Sequence, residues 1–444
     1  MDFQVSKFTI DAKEIKGLKI IGNAIQNRNN THTIILLDVS GSMDESSKLT
    51  NVKKSLQYLI KFLQKNDTLS LVTFNNLSQI LIENMNVTSE YITTFNFIIE
   101  TLKANGGTNL SSGLLNVKGI IDRSRVPLTT TYSKTGLIIL TDGHTNEGLT
   151  RSDDILRIIE SMKAIEPNLS ITTIGYNEDH NANLLTQIAT SGGGSYNIVN
   201  NQEQIAIVLG DILGGLMTTV VQNVCVKYPS SWKCLNVYNK KTENDITTLQ
   251  IGDINAESET IILFESDNEN TIVVEGYLTS DFSHKVNNIS WLPENISLYK
   301  DPYIIAYLRN AIAYILVNMN ILSSNTTLLN TIKEHLNTIV HPLVPLLRQE
   351  IVSIENQIRN NIMNTSQNIQ TSAFLGLARG TSAYTPRVRR RRLSFTDADA
   401  DADAVLNNFG NITLQTPFSN RIQQDITQQL VNMSQQENPN NPET

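Results

Sequence analysis

The stretch His32-Thr-Ile-Ile-Leu-Leu-Asp38-Val-Ser40-Gly-Ser42 decides the fold. Its first half is a largely apolar run of strand length. Strands covered on both faces read this way, and they belong to parallel sheets with helices on either side. Its second half places an aspartate and two serines at alternate positions of the loop that follows. A second strand of the same kind, residues 136–141, runs directly into Asp142-Gly143. In an open α/β sheet, ligands bind outside the carboxyl ends of the strands, where such loops converge. Both aspartates are therefore expected at one sheet edge.

The pattern continues on both sides of these two strands. Residues 51–64 carry Val52, Leu56, Leu59, Ile60 and Leu63 on one helical face. Residues 68–74, 78–85, 169–175 and 195–199 read as strands, and 89–103, 111–122, 153–164, 183–190 and 202–213 as helices. Alternation of this kind predicts an α/β domain over residues 31–215, with a doubly wound, mostly parallel, Rossmann-like sheet. The triplet Gly192-Gly-Gly194 reads as a flexible turn before the last strand.

After residue 215 the periodicity changes. Residues 217–298 show period-2 runs separated by turn signals, which predicts a small antiparallel β-sandwich. Residues 1–30 contain strand-like pieces at 8–10 and 18–21 and are too short to fold alone. They are expected to pair into the later β-unit, which leaves the α/β domain inserted between them. Residues 300–361 read as a helical region, with Ile304, Leu308, Ile312 and Ile315 on one stripe and Leu328, Leu329, Ile332, Leu336 and Ile339 on another. Pro342 and Pro345 interrupt before a last helix at 346–360. Residues 364–444 are polar and low in complexity, and are expected to form a disordered tail.

Bulk properties bound the function. A chain of 444 residues with 40% hydrophobic and 18% charged residues reads as soluble, globular and multidomain. A net charge of −8 argues against a nucleic-acid surface on the folded part. Residues 1–19 are studded with Asp and Lys and do not resemble a secretory signal. The most apolar run, 303–319, carries Arg309, Asn310 and Asn318, so it reads as a buried helix and no transmembrane segment is expected. These features point to an intracellular protein, cytoplasmic, or nuclear by way of the basic run Arg387–Arg392. Cys225 and Cys234 can pair as one hairpin disulfide or stay reduced; the intracellular setting favours reduced thiols.

Gly106-Gly107-Thr108 opens another loop before a helix, and its glycines let the backbone approach closely. Asp38, Ser40, Ser42, Thr108 and Asp142 thus supply two carboxylates and three hydroxyls at one edge. Hard oxygen donors without His or Cys select Mg²⁺, or Ca²⁺ or Mn²⁺, over zinc. Two carboxylates roughly neutralise one such ion, and a coordination place stays open.

The order Asp-x-Ser-x-Ser, then a distant Thr, then Asp-Gly resembles the metal-ion-dependent adhesion site of von Willebrand A domains, as in integrin inserted domains. That resemblance implies that Ser40, Ser42 and Thr108 contact one divalent ion. It further implies that Asp38 and Asp142 act directly or through water, and that an Asp or Glu of a protein partner completes the octahedron. More narrowly, Asp38-Val-Ser-Gly-Ser-Met43, Gly106-Gly-Thr-Asn-Leu110 and Leu140-Thr-Asp-Gly-His-Thr-Asn-Glu-Gly148 are similar to inter-alpha-trypsin-inhibitor heavy-chain-like proteins and to plant A-domain RING proteins. The plant proteins carry a β-unit resembling residues 234–277 here, notably Leu249-Gln-Ile-Gly-Asp253-Ile. A RING needs eight Cys or His ligands for two zinc ions. With two cysteines in the chain, ubiquitin ligation would require a ring brought by a partner.

Other features have plainer explanations. Asp44 and Glu45 read as a solvated loop, and His144 as a rim residue. No P-loop or Gly-x-Ser-x-Gly elbow is present, which argues against the Mg²⁺-dependent hydrolase alternative. Arg391-Arg-Leu-Ser394 suits a basophilic kinase, while the alternating Asp397–Asp403 segment makes the tail a self-neutralising polyampholyte. The expected function is that of a non-enzymatic, metal-dependent protein-binding adaptor. The alternative is a scaffold or assembly protein whose metal only stabilises the fold.

Overall fold

The computed structural model describes residues 1–124, 134–142, 144–176, 180–199, 202–236, 240–266, 268, 271–292, 296–297, 300–317, 322–341 and 343–359, with isolated positions beyond. Two strands, β1 (Asp2–Ile10) and β2 (Lys13–Ile21), form an antiparallel hairpin at the start of the chain. The compact unit Ile25–Thr219 follows, and a second unit combines Met1–Ala24 with the described residues of the stretch Val220–Ile412.

The Ile25–Thr219 unit is an α/β domain. Strand β3 (Thr31–Asp38) is buried along its whole length, as its apolar run requires. A 3₁₀ turn (Gly41–Ser47) leads into helix α1 (Lys48–Leu59). Strands β4 (Thr68–Phe74) and β5 (Ser78–Asn86) come next, then helices α2 (Ser89–Thr101) and α3 (Leu110–Ser124). The second half holds β6 (Lys134–Thr141), α4 (Ser152–Ile165), β7 (Leu169–Tyr176), α5 (Ala182–Gly192), β8 (Gly193–Val199) and α6 (Gln202–Thr218). Sheet order is β5-β4-β3-β6-β7-β8, with every pairing parallel except β4 with β5.

That order places the topological switch point between β3 and β6. The chain leaves β3 toward β4 on one side, and returns through β6 to build outward on the other. Crossovers diverge there and leave a crevice beyond the strand ends. One face of the sheet packs Ile35, Leu37, Leu69 and Ile138 against Val52, Leu56 and Leu59 of α1 and Ile205 and Leu209 of α6. Each such side chain, fully buried, is worth roughly 1.5–3 kcal/mol. The Gly192-Gly-Gly194 triplet is not a loose turn: Gly192 ends α5, and Gly193, at φ 73°, caps that helix and opens β8.

The second unit contains β9 (Thr219–Pro229), β10 (Lys233–Cys234), β11 (Lys240–Glu243), β12 (Ile246–Asn255), β13 (Glu259–Glu265), β14 (Ile272–Leu278) and β15 (His284–Ile289). They form two antiparallel sheets, β1-β2-β13-β10 and β11-β12-β9-β14-β15. β13 pairs with β2 from Glu259↔Ile21 to Glu265↔Ile15, so the N-terminal hairpin lies within this unit. Val5, Leu18 and Phe264 of the first sheet share a core with Val224, Val226 and Val274 of the second. Trp232 and Trp291 meet edge-on in this core, with ring centres 5.6 Å apart. Cys225 and Cys234 are free and buried.

Among the described residues three helices follow these strands: α7 (Asp301–Val317), α8 (Leu322–Thr338) and α9 (Val344–Arg359). Leu308, Ile312 and Ile315 pack with Ile332, Leu336, Leu347 and Ile351. Tyr303 lies against β2, where a side chain at Gly17 would overlap its ring. Pro345 does not delay α9 as expected, because at the second helical position its missing N–H leaves no bond unmade. Among the described residues no helix is long and apolar enough to cross a membrane. The tail 364–444, with Ser394 and the basic run, lies outside the described residues apart from two dipeptide strands, Arg387–Val388 and Ile412–Thr413, and one residue at position 429.

Candidate metal centre

β3 and β6 run side by side with Leu37 opposite Leu140, so their carboxyl ends fall together at the switch point. Thr141, the last residue of β6, donates its hydroxyl to Asp38 Oδ2 at 2.5 Å. The other Asp38 oxygen accepts from the Ser40 amide at 2.8 Å. Asp38 is fully buried. Burial pushes its carboxyl up to about 6; hydrogen bonds from Thr141 and Ser40 oppose the rise, and the charge of Asp142 adds to it.

From Asp38 the loop continues as a chain of polar contacts. Ser40 Oγ lies 3.1 Å from Ser42 Oγ, and Ser42 Oγ donates to Asp142 Oδ1 at 2.7 Å. Ser40 and Asp142 are both buried. Asp38 ends β3, Ser40 is extended at φ −63° and ψ 166°, and Ser42 lies in the 3₁₀ turn that follows; the Val39 amide is tied to Phe74 O at the end of β4.

Thr108 reaches this edge on its own loop, which is stitched to the first. Gly41 N donates to Gly106 O at 3.0 Å, and Asn105 N to Val39 O at 2.9 Å. Gly106 sits at φ +76°, a conformation that favours glycine, and a Cβ there would fall 1.9 Å from Asn76 Oδ1 and displace that side chain. The Thr108 amide donates to Asn146 Oδ1 at 2.8 Å, and its carbonyl accepts from Asn146 N at 3.1 Å. Asn76 carries the bracing further with its side chain: Oδ1 accepts from Gly107 N at 2.9 Å and Nδ2 donates to Glu147 Oε1.

Four of the five expected side chains, those of Asp38, Ser40, Ser42 and Asp142, are therefore joined by hydrogen bonds. Thr108, itself buried, is held on the adjoining loop. Asp44, Glu45 and His144 are exposed. Two kinds of residue escaped the sequence analysis. One is Lys48, whose ammonium lies 2.5 Å from Asp142 Oδ2 and donates to Ser42 O at 3.2 Å. In sequence it looks like any lysine opening a helix. The other is the bracing set Asn76, Asn146 and Glu147, whose polar residues read as ordinary loop composition.

The donor set fits a hard divalent ion. Among the described residues no three His, Cys, Asp or Glu side chains gather into a metal cluster, so the donors here are two carboxylates with hydroxyls. That set suits Mg²⁺, Ca²⁺ or Mn²⁺ and is poor for zinc. The buried, upward-shifted Asp38 beside Asp142 is the electrostatic situation a cation relieves.

Residues 33–211 match the family model of the von Willebrand factor type A domain. Such domains are commonly protein-interaction modules. The chain is 26% identical over 254 residues to the uncharacterized protein YfbK of Escherichia coli K12, covering 53% of this chain and 41% of that protein. It is 26% identical over 208 residues to mouse inter alpha-trypsin inhibitor, heavy chain 4, covering 45% of this chain and 21% of that one. The chain thus spans well under half the length of these relatives. A solved von Willebrand factor type A protein from Catenulispora acidiphila shares the fold across 94% of this chain and 96% of its own, with a TM-score of 0.59 at 14% identity.

Proposed function

We propose that this protein is an interaction module whose A domain holds one divalent ion, Mg²⁺ or else Ca²⁺ or Mn²⁺, and that an Asp or Glu of a protein partner completes its coordination. The observation that supports this most is the unbroken run of contacts from Asp38 through Ser40 and Ser42 to Asp142 at the switch point. Asp38, Ser40, Ser42, Thr108 and Asp142 would hold the ion. Bound there, the ion supplies a Lewis-acidic position that prefers an anionic oxygen. The chain's own residues do the rest: Thr141 fixes Asp38, and Asn146 and Gly106 fix the Thr108 loop. The site has hydroxyls and carboxylates but no activated nucleophile, which favours binding over turnover. We place the protein inside the cell, where its two buried thiols stay reduced.

Chelation separates this function from that of a scaffold whose ion only stabilises the fold. A partner captured in Mg²⁺ should be released by EDTA and should not be captured by Asp142→Ala. Capture that survives EDTA while only the melting temperature falls would support the scaffold instead.

A further inference from the structure

We propose that Lys48 is an internal counter-cation of the metal centre: its ammonium holds the ion-free site together through Asp142 and competes with the divalent ion for that carboxylate. The proposal rests on the ion site argued above.

Lys48 is the first residue of α1, and its side chain is only 8% exposed. Residues of this kind keep their charge in solvent unless a partner holds them inside. Here the partner is Asp142 Oδ2 at 2.5 Å, and Ser42 O takes a second ammonium proton at 3.2 Å. The acceptors are thus one expected ion ligand and the backbone of another. Asp142 divides its two oxygens, one accepting from Ser42 and one from Lys48. Ser47, just before Lys48, takes the left-handed conformation at φ 59°, at the step where the 3₁₀ turn passes into α1.

The electrostatics follow. Without an ion, Asp38 and Asp142 form a buried pair of carboxylates, and the Lys48 ammonium offsets part of their repulsion. With a divalent ion present, the same ammonium is a like charge beside it and disfavours loading. Glu45 Oε2, 3.7 Å from the ammonium and on an exposed side chain, gives Lys48 a further ion-pair partner facing solvent. An ion arriving at Asp142 can therefore displace Lys48 outward without stranding its charge.

The test uses the full chain, stripped of metal, with MgCl₂ titrated by calorimetry and melting followed in parallel. Lys48→Met should bind Mg²⁺ more tightly by about tenfold or more, as expected when a nearby like charge is removed from a partly screened site. Its metal-free form should melt below the wild type and recover more on adding Mg²⁺. In an Asp142→Asn background the same substitution should change the metal-free melting temperature much less. Lys48→Gln, which keeps the polar reach, serves if the methionine variant fails to fold. Equal or weaker Mg²⁺ binding by the folded variant, in a protein whose wild type binds, overturns the counter-cation role alone. Binding by the variant but not by the wild type supports it and contradicts the proposed function. Binding by neither overturns both.

Discussion

The hydroxyl of Thr141 donates to the carboxylate of Asp38 at 2.5 Å, joining the last residue of β6 to the last residue of β3. This bond lies at the switch point and fixes the orientation of the only expected ion ligand that sits within a strand. Thr141→Val keeps the shape and removes the donor. A buried carboxylate left short of one hydrogen bond costs about 1–3 kcal/mol. Urea denaturation should show that loss, and Mg²⁺ affinity should fall with it; unchanged stability would mean that Thr141 does not hold Asp38.

Gly106→Ala tests the loop that carries Thr108. The left-handed φ of +76° and the clash with Asn76 both oppose a side chain. A non-glycine residue forced into that region costs about 1–3 kcal/mol. The variant should melt lower and bind Mg²⁺ more weakly, because the strain falls on the residue whose carbonyl takes the Gly41 amide and lies two residues from Thr108. A neutral result in both measurements would show that this loop relaxes freely.

Asp67 provides the contrast. It is fully buried, lies 2.5 Å from Arg28 Nη2, and accepts from the amides of Thr31 at 2.8 Å and Gln64 at 2.7 Å. It therefore belongs to the opposite end of β3, about 20 Å from Asp38 by strand rise. Asp67→Ala strands the Arg28 charge and should cost about 3–5 kcal/mol. Any protein that remains folded should bind Mg²⁺ like the wild type. Selective loss of ion binding without loss of stability would contradict this division of roles.

His32 predicts the acid limb of stability. It is buried in β3 with its ring nitrogen 3.1 Å from Ser70 Oγ, and burial pushes its pKa down to about 3 from 6.5. Between those values the unfolded chain binds a proton at this residue and the folded protein does not. The contribution is therefore present above about pH 6.5 and is lost as pH falls toward 3, up to about 5 kcal/mol. His32→Gln should flatten the stability profile between pH 7 and 4 by urea denaturation. Parallel profiles would show that His32 is charged in the folded protein.

The two apolar strands and the residues at their carboxyl ends were legible in sequence because burial on both faces and loop position leave direct marks. The bracing of that edge was not. Lys48 is a helix-opening lysine in any periodicity analysis, and only the packing of α1 against the sheet brings it to Asp142. Asn76 and Asn146 lie 70 residues apart in the chain and meet the Thr108 loop only in three dimensions. Strand β15 is not legible as a separate run, because its alternation is mostly polar and it sits at a sheet edge, where no burial pattern marks it.

The most direct measurement is a calorimetric titration of MgCl₂ into the metal-stripped protein and into Asp142→Ala. The account predicts saturable binding of one ion per chain in the wild type and its loss in the variant, with the circular dichroism of the two proteins alike. No binding by the wild type, or equal binding by a folded Asp142→Ala, would contradict it.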